Sequence, residues 1–293
     1  MAKTLPRPIR LRLEQSLGQW RQWELQPEPG APPVLLEPLG QGLSNHSFLV
    51  AADQHKLVLR LDGASPLANG LSRQAEWRVL QHAHAAGIAP RPRYCNPELG
   101  VLVCDHLPSQ SRETESLADL GGLLRTIHGL PAIHLRLDPG ERCKRYEHAL
   151  RAADNPGWAR LAPLEPAMGR LLARAEALAG PAVLCHNDLL RANRLYSDGR
   201  LWAVDWEYAA MGSAWFDLAA VIAGDEWHPP AATTLLEHYL LRPPLASEIE
   251  ALAVYDCVYR YLELLWYTLY PNTLSVHHRE QKQATLASRL SAL

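Results

Sequence analysis

The sequence predicts an α+β fold with a small β-rich N-terminal lobe and a larger, mainly helical C-terminal lobe. Three observations support this prediction. Short β-like runs follow one another between residues 34 and 107. From Ser116 onward the spacing of apolar residues is mainly helical. Within that helical part, residues 181–204 are typical of a buried strand followed by a hairpin. We therefore divide the chain into an N-terminal extension (1–33), the β-rich lobe (34–107) and the helical lobe (108–293).

Composition excludes several classes of protein. The chain has 293 residues, of which 47% are apolar, and this is enough for a sizeable core. A net charge of −2 gives no basic excess, so nucleic acid is not an expected partner. The five cysteines include no C-x-x-C pair, which argues against a disulfide framework and a zinc site. We see neither a signal peptide nor an uninterrupted apolar segment, and therefore expect a cytoplasmic protein without a membrane span. The sequence leaves the oligomeric state open.

The N-terminal extension carries an amphipathic stretch from Ile9 to Trp23, followed by a proline-rich breaker at 26–33. Its role is open at this stage. The β-rich lobe then begins with three short runs that predict an antiparallel meander: 34–39, 47–51 and 56–61. A helix is predicted from Ser72 with Gly87 and Pro90 at its end, and a further strand is predicted over 100–105.

The first turn of the meander is rich in glycine and small polar residues. Glycine lets backbone N–H groups approach phosphate oxygens without an intervening Cβ, although hairpin turns also favour glycine. We predict that this turn covers phosphates through Gly40, Gly42, Ser44 and Asn45.

Arg60 on the third strand and Glu76 on the following helix form a second candidate pair. A strand cation that contacts the α/β-phosphates and is tied to a helix carboxylate is typical of kinase nucleotide lobes. Lysine is usual at the strand position, but arginine keeps the charge and can bind phosphate with two nitrogens. The alternative is an exposed surface pair that contributes little.

The helical lobe contains helix-like segments at Leu117 to His128 and Pro166 to Ala179, before the most informative motif. The helices predicted after that motif are 214–223, 230–241 and 247–270.

The motif is the run from Cys185 to Asn193, which has the form H-x-D-x4-N, followed by Asp205 at the end of a hairpin. Phosphoryl transfer needs a carboxylate that accepts the proton of the attacking hydroxyl, and oxygen ligands that hold Mg²⁺. Asp188 fits the first role, and Asn193 and Asp205 fit the second. His186 fits an orienting, hydrogen-bonded role. The alternative is a polar loop in which Asp188 caps a turn and Asp205 ends a strand.

Asp217, at the start of a predicted helix, has two interpretations. It either caps the helix or braces the catalytic loop with its carboxylate.

Aromatic residues and carboxylates are interspersed in the helical lobe. Aromatic faces beside carboxylates suit a cationic ligand, although aromatics at helical spacing more often build core. Our candidate substrate contacts are Glu207, Trp227, Glu263 and Trp266.

Four blocks together resemble the choline/ethanolamine kinase and bacterial thiamine kinase branch of the aminoglycoside phosphotransferase superfamily. These blocks are Gly42–Asn45, Cys185–Asn193, Val204–Ala209 and Phe216–Ala219. The resemblance covers roughly residues 34–270, and Arg191 departs from the usual Pro or Ala.

The resemblance implies a protein-kinase-like two-lobe fold and ATP-dependent phosphorylation of a small-molecule hydroxyl. It implies Asp188 as the base, Asn193 and Asp205 as Mg²⁺ ligands, and the glycine turn over the phosphates. It also implies that adenine lies against the connector from Val103 to Leu107, with Cys104, Asp105 and Leu107 as nucleotide contacts.

The expected partners are therefore ATP, with Mg²⁺, and a small, cationic alcohol of the choline, ethanolamine or thiamine type. One alternative is an aminoglycoside or sugar kinase, whose acceptor site would be acidic or polar instead of aromatic. Another is a non-catalytic nucleotide-binding module, which would have lost a metal ligand or the base. This sequence keeps all three residues.

Overall fold

A computed structural model of the chain describes residues 5–41, 45–63, 71–109 and 116–293. These residues fall into two compact units. The first takes its residues from Met1–Arg112 and Leu195–Tyr208, and the second from Glu113–Arg194 and Ala209–Leu293. The first unit is rich in strands and the second is mainly helical, which confirms the predicted α+β class.

In the described part of the first unit, five strands form an antiparallel sheet in the order β1-β2-β3-β5-β4. On β3, Leu57, Leu59 and Leu61 alternate and are fully buried, as expected for one face of a strand on a core. The fourth strand was not predicted, because it is short and begins with proline. The strands are β1 (Val34–Gln41), β2 (Asn45–Ala52), β3 (His55–Asp62), β4 (Pro92–Asn96) and β5 (Val101–Asp105).

The N-terminal segment is part of the core of this unit. Helix α1 (Arg7–Gly18) places Ile9 and Leu13 in the same apolar cluster as the sheet, and Trp20 and Trp23 join them. The Arg12 guanidinium binds backbone carbonyls at the β3 end and the β4–β5 turn: Asp62 O at 2.7 Å, Leu99 O at 2.8 Å and Gly100 O at 3.2 Å. The segment therefore supports the strand that carries Arg60.

Helix α2 (Arg73–Ala85) begins at Ser72, whose hydroxyl accepts the N–H of Ala75 and caps the helix. The predicted hairpin is present as β7 (Arg194–Ser197) and β8 (Arg200–Ala203). The N–H of Ala203 donates to the carbonyl of Ile88 at 2.8 Å, which attaches β8 to the chain that follows α2.

In the second unit, α9 lies at the centre and its buried face includes Val254, Tyr261 and Leu265. Helices α4, α6, α7 and α10 pack against it, and α3 packs against α8. The helices are α3 (Leu117–His128), α4 (Pro139–Ala152), α5 (Trp158–Leu161), α6 (Glu165–Leu178), α7 (Ala214–Gly224), α8 (Pro229–Leu240), α9 (Ala246–Leu269) and α10 (Val276–Ser291).

The contact between α3 and α8 depends on a glycine. A Cβ at Gly121 would lie only 3.0 Å from backbone and side-chain atoms of His238. Two short strands, β6 (Val183–Cys185) and β9 (Ala210–Gly212), pair antiparallel in this unit. No helix among the described residues is both long enough and apolar enough to cross a membrane.

Candidate active site

The catalytic-loop motif follows β6 directly. Asn187 takes a left-handed conformation (φ 63°), which turns the chain sharply before Asp188. A single 3₁₀ turn, Arg191–Asn193, then brings the chain back. The side-chain amide nitrogen of Asn193 donates to the carbonyl oxygen of Asp188 at 2.8 Å and to its carboxylate at 3.0 Å. The two residues predicted as base and metal ligand are thus in direct contact.

This contact fixes the orientation of the Asn193 amide group. Because its nitrogen faces Asp188, its Oδ1 oxygen is the atom that can bind a metal ion. An amide oxygen is a hard ligand of the kind that Mg²⁺ prefers. The loop geometry therefore fits the predicted roles of Asp188 and Asn193.

Asp217 on α7 supports the backbone of the catalytic-loop motif. Its carboxylate is fully buried and accepts the N–H groups of His186 at 2.8 Å and Asn187 at 2.7 Å. Ser213, and not Asp217, caps α7. Of the two interpretations of Asp217, the structure therefore has the one in which its carboxylate braces the catalytic loop. The backbone of the loop thus rests on a carboxylate at the point where it turns toward Asp188.

Asp217 has a further partner that sequence analysis missed. His128, at the end of α3, contacts the same carboxylate through Nε2 at 3.1 Å, and its Nδ1 lies 2.8 Å from the Tyr239 hydroxyl. Burial alone would raise the pKa of Asp217, but the hydrogen bond and charge of His128, together with His186, hold it below its ordinary value. The brace is therefore an ionised carboxylate at neutral pH.

In the first unit, Arg60 connects two of the predicted residues. Its guanidinium binds the Glu76 carboxylate at 2.6 Å and Asp205 at 2.5 Å. Arg60 and Glu76 are buried, so this is not the exposed surface pair that was the alternative. Asp205 itself has a left-handed backbone (φ 62°) after β8, which is uncommon for a residue other than glycine.

A second arginine, which the sequence analysis missed, completes the network. Arg73, the first residue of α2, binds Glu76 at 2.6 Å, Asp62 at 2.5 Å and Glu207 at 3.1 Å. Glu207 also accepts from the side-chain amide of Asn45 at 3.0 Å. The sequence did contain a signal for this arginine: Arg73 lies three residues before Glu76, so both lie on one face of a helix.

The charges of this network favour a cation. Among its described residues, four carboxylates face two guanidinium groups, which leaves a formal charge of −2: Asp62, Glu76, Asp205 and Glu207 against Arg60 and Arg73. Burial raises the pKa of Asp205 to about 6, with the Arg60 charge opposing the shift and the Glu207 carboxylate adding to it. A bound cation would offset the negative charge of the network and would favour the ionised form of Asp205. The donor set therefore fits a divalent metal ion.

The other residues predicted to contact the nucleotide lie in several different places. Gly40 lies in β1, whereas Gly42 and Ser44 lie outside the described residues. Cys104 is buried within β5. The Asp105 carboxylate binds Arg93 through both oxygens, at 2.7 and 2.9 Å.

Leu107 is half-buried just after β5. These positions do not test a nucleotide contact, which stays a prediction.

The four predicted substrate residues do not form one group. Glu207 is buried, and its Oε2 oxygen accepts hydrogen bonds from both Arg73 and Asn45. Trp227 is half-buried in the turn between α7 and α8.

The other two predicted substrate residues, Glu263 and Trp266, lie three residues apart on α9 and so on one helix face. Trp266 contacts the rings of Tyr267 and Tyr270 at centroid distances of 5.2 and 5.1 Å.

This α9 face lies within electrostatic reach of the catalytic loop. Burial, and after it the carboxylates of Glu263 and Asp188, raise the pKa of Tyr267 to about 12. Burial and the same two carboxylates also raise the pKa of Tyr259, whose ring contacts Phe216 of α7. The predicted base and Glu263 are therefore near the same tyrosines.

Comparison with known proteins decides the family. A family model described as a phosphotransferase enzyme family matches residues 35–253, which is most of the chain. The chain belongs to this phosphotransferase enzyme family. The match includes Arg60, Glu76, the catalytic loop, Asp205 and Asp217, and it confirms the resemblance found in the sequence.

Curated relatives of the family match parts of the chain. The thiamine kinase of Salmonella dublin is 29% identical over 202 residues, covering 64% of this chain and 65% of the relative. Protein LicA of Haemophilus influenzae is 44% identical over 55 residues, covering 19% of this chain and 21% of the relative. The chain thus spans less than two thirds of the length of these relatives.

Solved structures of the family share the fold. Choline kinase LicA from Streptococcus pneumoniae superposes with a TM-score of 0.73 at 22% identity, covering 88% of this chain and 95% of that one. A structure of LicA in complex with AMP gives a TM-score of 0.70 at 20% identity, covering 96% and 97%. The predicted protein-kinase-like fold is thereby confirmed.

Proposed function

We propose that this protein is an ATP-dependent phosphotransferase that phosphorylates the hydroxyl group of a small, cationic alcohol of the choline, ethanolamine or thiamine type. The observation that carries the proposal is the contact of Asn193 with Asp188 on a loop held by the buried Asp217 carboxylate. That arrangement supplies a fixed proton acceptor beside an amide oxygen. The names of the relatives, thiamine kinase and choline kinase, support the acceptor class.

In the proposed reaction, Asp188 accepts the proton of the acceptor hydroxyl while the hydroxyl oxygen attacks the γ-phosphorus of ATP. The bond from that phosphorus to the bridging oxygen breaks, and ADP leaves with the bond electrons. The amide nitrogen of Asn193 holds the Asp188 carboxylate in position for this transfer. Positioning of this kind accounts for much of the rate enhancement in phosphoryl transfer.

Asn193 and Asp205 would hold Mg²⁺, which neutralises phosphate charge when bound. In the first unit, Arg60 is the proposed phosphate contact: Glu76 binds its guanidinium, and Arg73 in turn binds Glu76. The complex of LicA with AMP supports nucleotide use by this fold. The glycine turn, with Gly42 and Ser44, is proposed to cover the phosphates.

An acceptor panel tests this proposal. Purified protein would be incubated with ATP and Mg²⁺ and with choline, ethanolamine, thiamine, an aminoglycoside and a hexose, one at a time. ADP formation would be followed by a coupled assay, and the phosphorylated product identified by mass spectrometry. We expect product from at least one of the cationic alcohols. Product from the aminoglycoside or hexose alone would overturn the acceptor class, and nucleotide binding without product would overturn the activity.

A further inference from the structure

The ammonium group of a lysine side chain lies beside the face of α9 that carries the predicted substrate contacts Glu263 and Trp266. Lys282 of α10 contacts both oxygens of Glu263, at 2.9 and 3.0 Å, and lies 3.6 Å from the Glu226 carboxylate. Its Nζ is also 5.9 Å from the centre of the Tyr267 ring. The side chains of Lys282 and Glu263 are only 13% and 12% exposed. This cation is therefore held in a largely dehydrated position.

The residue that precedes Glu226 is bonded to the end of the predicted catalytic loop through Arg194. Arg194, at the end of the loop region, donates to the carbonyl of Leu189 at 2.9 Å and to the Asp225 carboxylate at 2.5 Å. Asp225 immediately precedes Glu226, one of the two carboxylates beside Lys282. The ring that Lys282 faces belongs to Tyr267, whose pKa burial and the carboxylates of Glu263 and Asp188 raise to about 12.

Two carboxylates and an aromatic ring around one ammonium are the groups that recognise a cationic ligand. Here the ammonium is a side chain, so the negative charge of Glu263 is already compensated. Burial raises the pKa of Glu263 and the Lys282 charge opposes that shift, which helps to keep the carboxylate ionised. A substrate cation would gain little from Glu263 while Lys282 is bound there.

We propose that Lys282 is a specificity-determining residue, an internal ammonium that occupies the cation position formed by Glu263, Glu226 and Tyr267 and excludes the cationic group of an acceptor from it. The expected effect of Lys282 on the choice of acceptor during turnover rests on the proposed function. It requires that any preference of the wild-type enzyme for cationic alcohols comes from groups other than Glu263. It also predicts that removal of the lysine charge opens a new cation site.

The test compares choline with 3,3-dimethylbutan-1-ol, its uncharged carbon isostere, as acceptors for wild type and Lys282→Met. We expect the ratio of kcat/KM for choline to that for the isostere to rise about tenfold in Lys282→Met, or ~1.4 kcal/mol. The gain should vanish in the double variant Lys282→Met/Glu263→Gln, which removes both charges. Lys282→Arg should keep the wild-type ratio. A ratio that is unchanged in Lys282→Met, or that rises equally in Lys282→Arg, would overturn the proposal.

A matched control comes from a second lysine pair in the same unit. Lys144 contacts Glu141 at 2.8 Å, but both side chains are 69% exposed, so Lys144→Met should leave the acceptor ratio unchanged. If Lys282→Met does not fold, Lys282→Gln replaces it, because glutamine keeps a hydrogen-bond donor for Glu263 without the charge.

A binding measurement separates this inference from the proposed function. Titration with tetramethylammonium, followed by tryptophan fluorescence, needs no turnover. We expect Lys282→Met to bind this cation about tenfold more tightly than wild type. If wild type phosphorylates no alcohol but the titration shows this difference, the function fails and the cation position stands. Equal binding by both proteins would refute the cation position alone.

Discussion

At the residue scale, the proposed chemistry depends on very few side chains. Asp188 is positioned by Asn193 within its own loop, and Asp205 is held by Arg60. Both carboxylates lie at turns with left-handed backbone, at Asn187 and at Asp205 itself. Such conformations cost free energy, of order 1–3 kcal/mol each, and they occur often at functional sites.

Removal of either carboxylate should abolish turnover without loss of the fold. We expect Asp188→Ala and Asp205→Ala each to lower kcat at least ~100-fold, because a positioned proton acceptor or a metal ligand is lost. ADP release measures the activity, and circular dichroism checks the fold. Asp198→Ala, in the exposed turn between β7 and β8, is the control and should keep wild-type kcat. Turnover at the wild-type rate in either site variant would contradict the assigned roles.

Asp217 should matter for stability, in a pH-dependent way. We expect Asp217→Asn to lower the free energy of unfolding by about 3 kcal/mol at pH 7, because a buried charged acceptor of three hydrogen bonds is lost. The folded-state pKa of Asp217 is depressed, so its contribution is present above the unfolded-state pKa and is lost as pH falls through the folded-state pKa.

The check is urea unfolding of both proteins across a pH series. The difference in unfolding free energy between wild type and Asp217→Asn should shrink below about pH 4, the ordinary pKa range of aspartate. A difference that grows steadily as the pH falls from 4 would show that the native carboxylate is not stabilised in its charged form.

At the scale of elements, α1 packs on the sheet of the first unit and also binds its backbone through an arginine. Arg12 satisfies backbone carbonyls where β3 ends and where β4 turns into β5. We expect Arg12→Ala to lower the free energy of unfolding by about 2 kcal/mol, since charged hydrogen bonds to partly buried acceptors are removed. Arg10→Ala is the matched control on the same helix, because the Arg10 side chain forms a 3.9 Å pair with exposed Glu14. Equal effects of both substitutions in urea unfolding would argue against this role.

The N-terminus of α2 is coupled to β3 and to the chain after β8 by Arg73. Arg73→Met would leave Asp62, Glu76 and Glu207 without that partner in a buried region, so we expect a loss of about 3 kcal/mol in unfolding free energy. We also expect KM for ATP to rise, because Arg73 no longer holds Glu76, the partner of Arg60. The exposed Arg78 on the same helix provides the control variant Arg78→Met. An unchanged KM in Arg73→Met would separate this network from nucleotide binding.

At the scale of the whole molecule, each unit has an apolar core of its own. A ligand that binds only the folded protein stabilises it by mass action. We expect Mg²⁺·ADP at 100 times its Kd to stabilise wild type by about 2.7 kcal/mol, measured as a rise in Tm. For Asp205→Ala the gain from adding Mg²⁺ to ADP should be lost. If Mg²⁺ with ADP raised the Tm of Asp205→Ala as much as it raises that of wild type, this result would contradict the metal-ligand role.

Local pattern was sufficient for most elements. The boundaries of α3 and the cap of α2 at Ser72 agree with the sequence prediction, because capping residues and periodicity act over a few neighbours. The helices α4 and α10 were missed, and both have a weak apolar pattern with few buried residues. β4 and β9 were missed as well, because neither contains a β-branched residue, whereas the equally short β5 and β6 contain valine and were predicted.

The sequence by itself determined the hairpin and the family, and it predicted the catalytic loop, because these depend on residue types at short spacing. Only the tertiary structure decided which charges meet. Arg60 and its partner Asp205 are 145 residues apart in the sequence, and Arg73 and its partner Glu207 are 134 apart. The pairing of Lys282 with Glu263 joins two helices. Such contacts depend on packing geometry, and no local propensity encodes them.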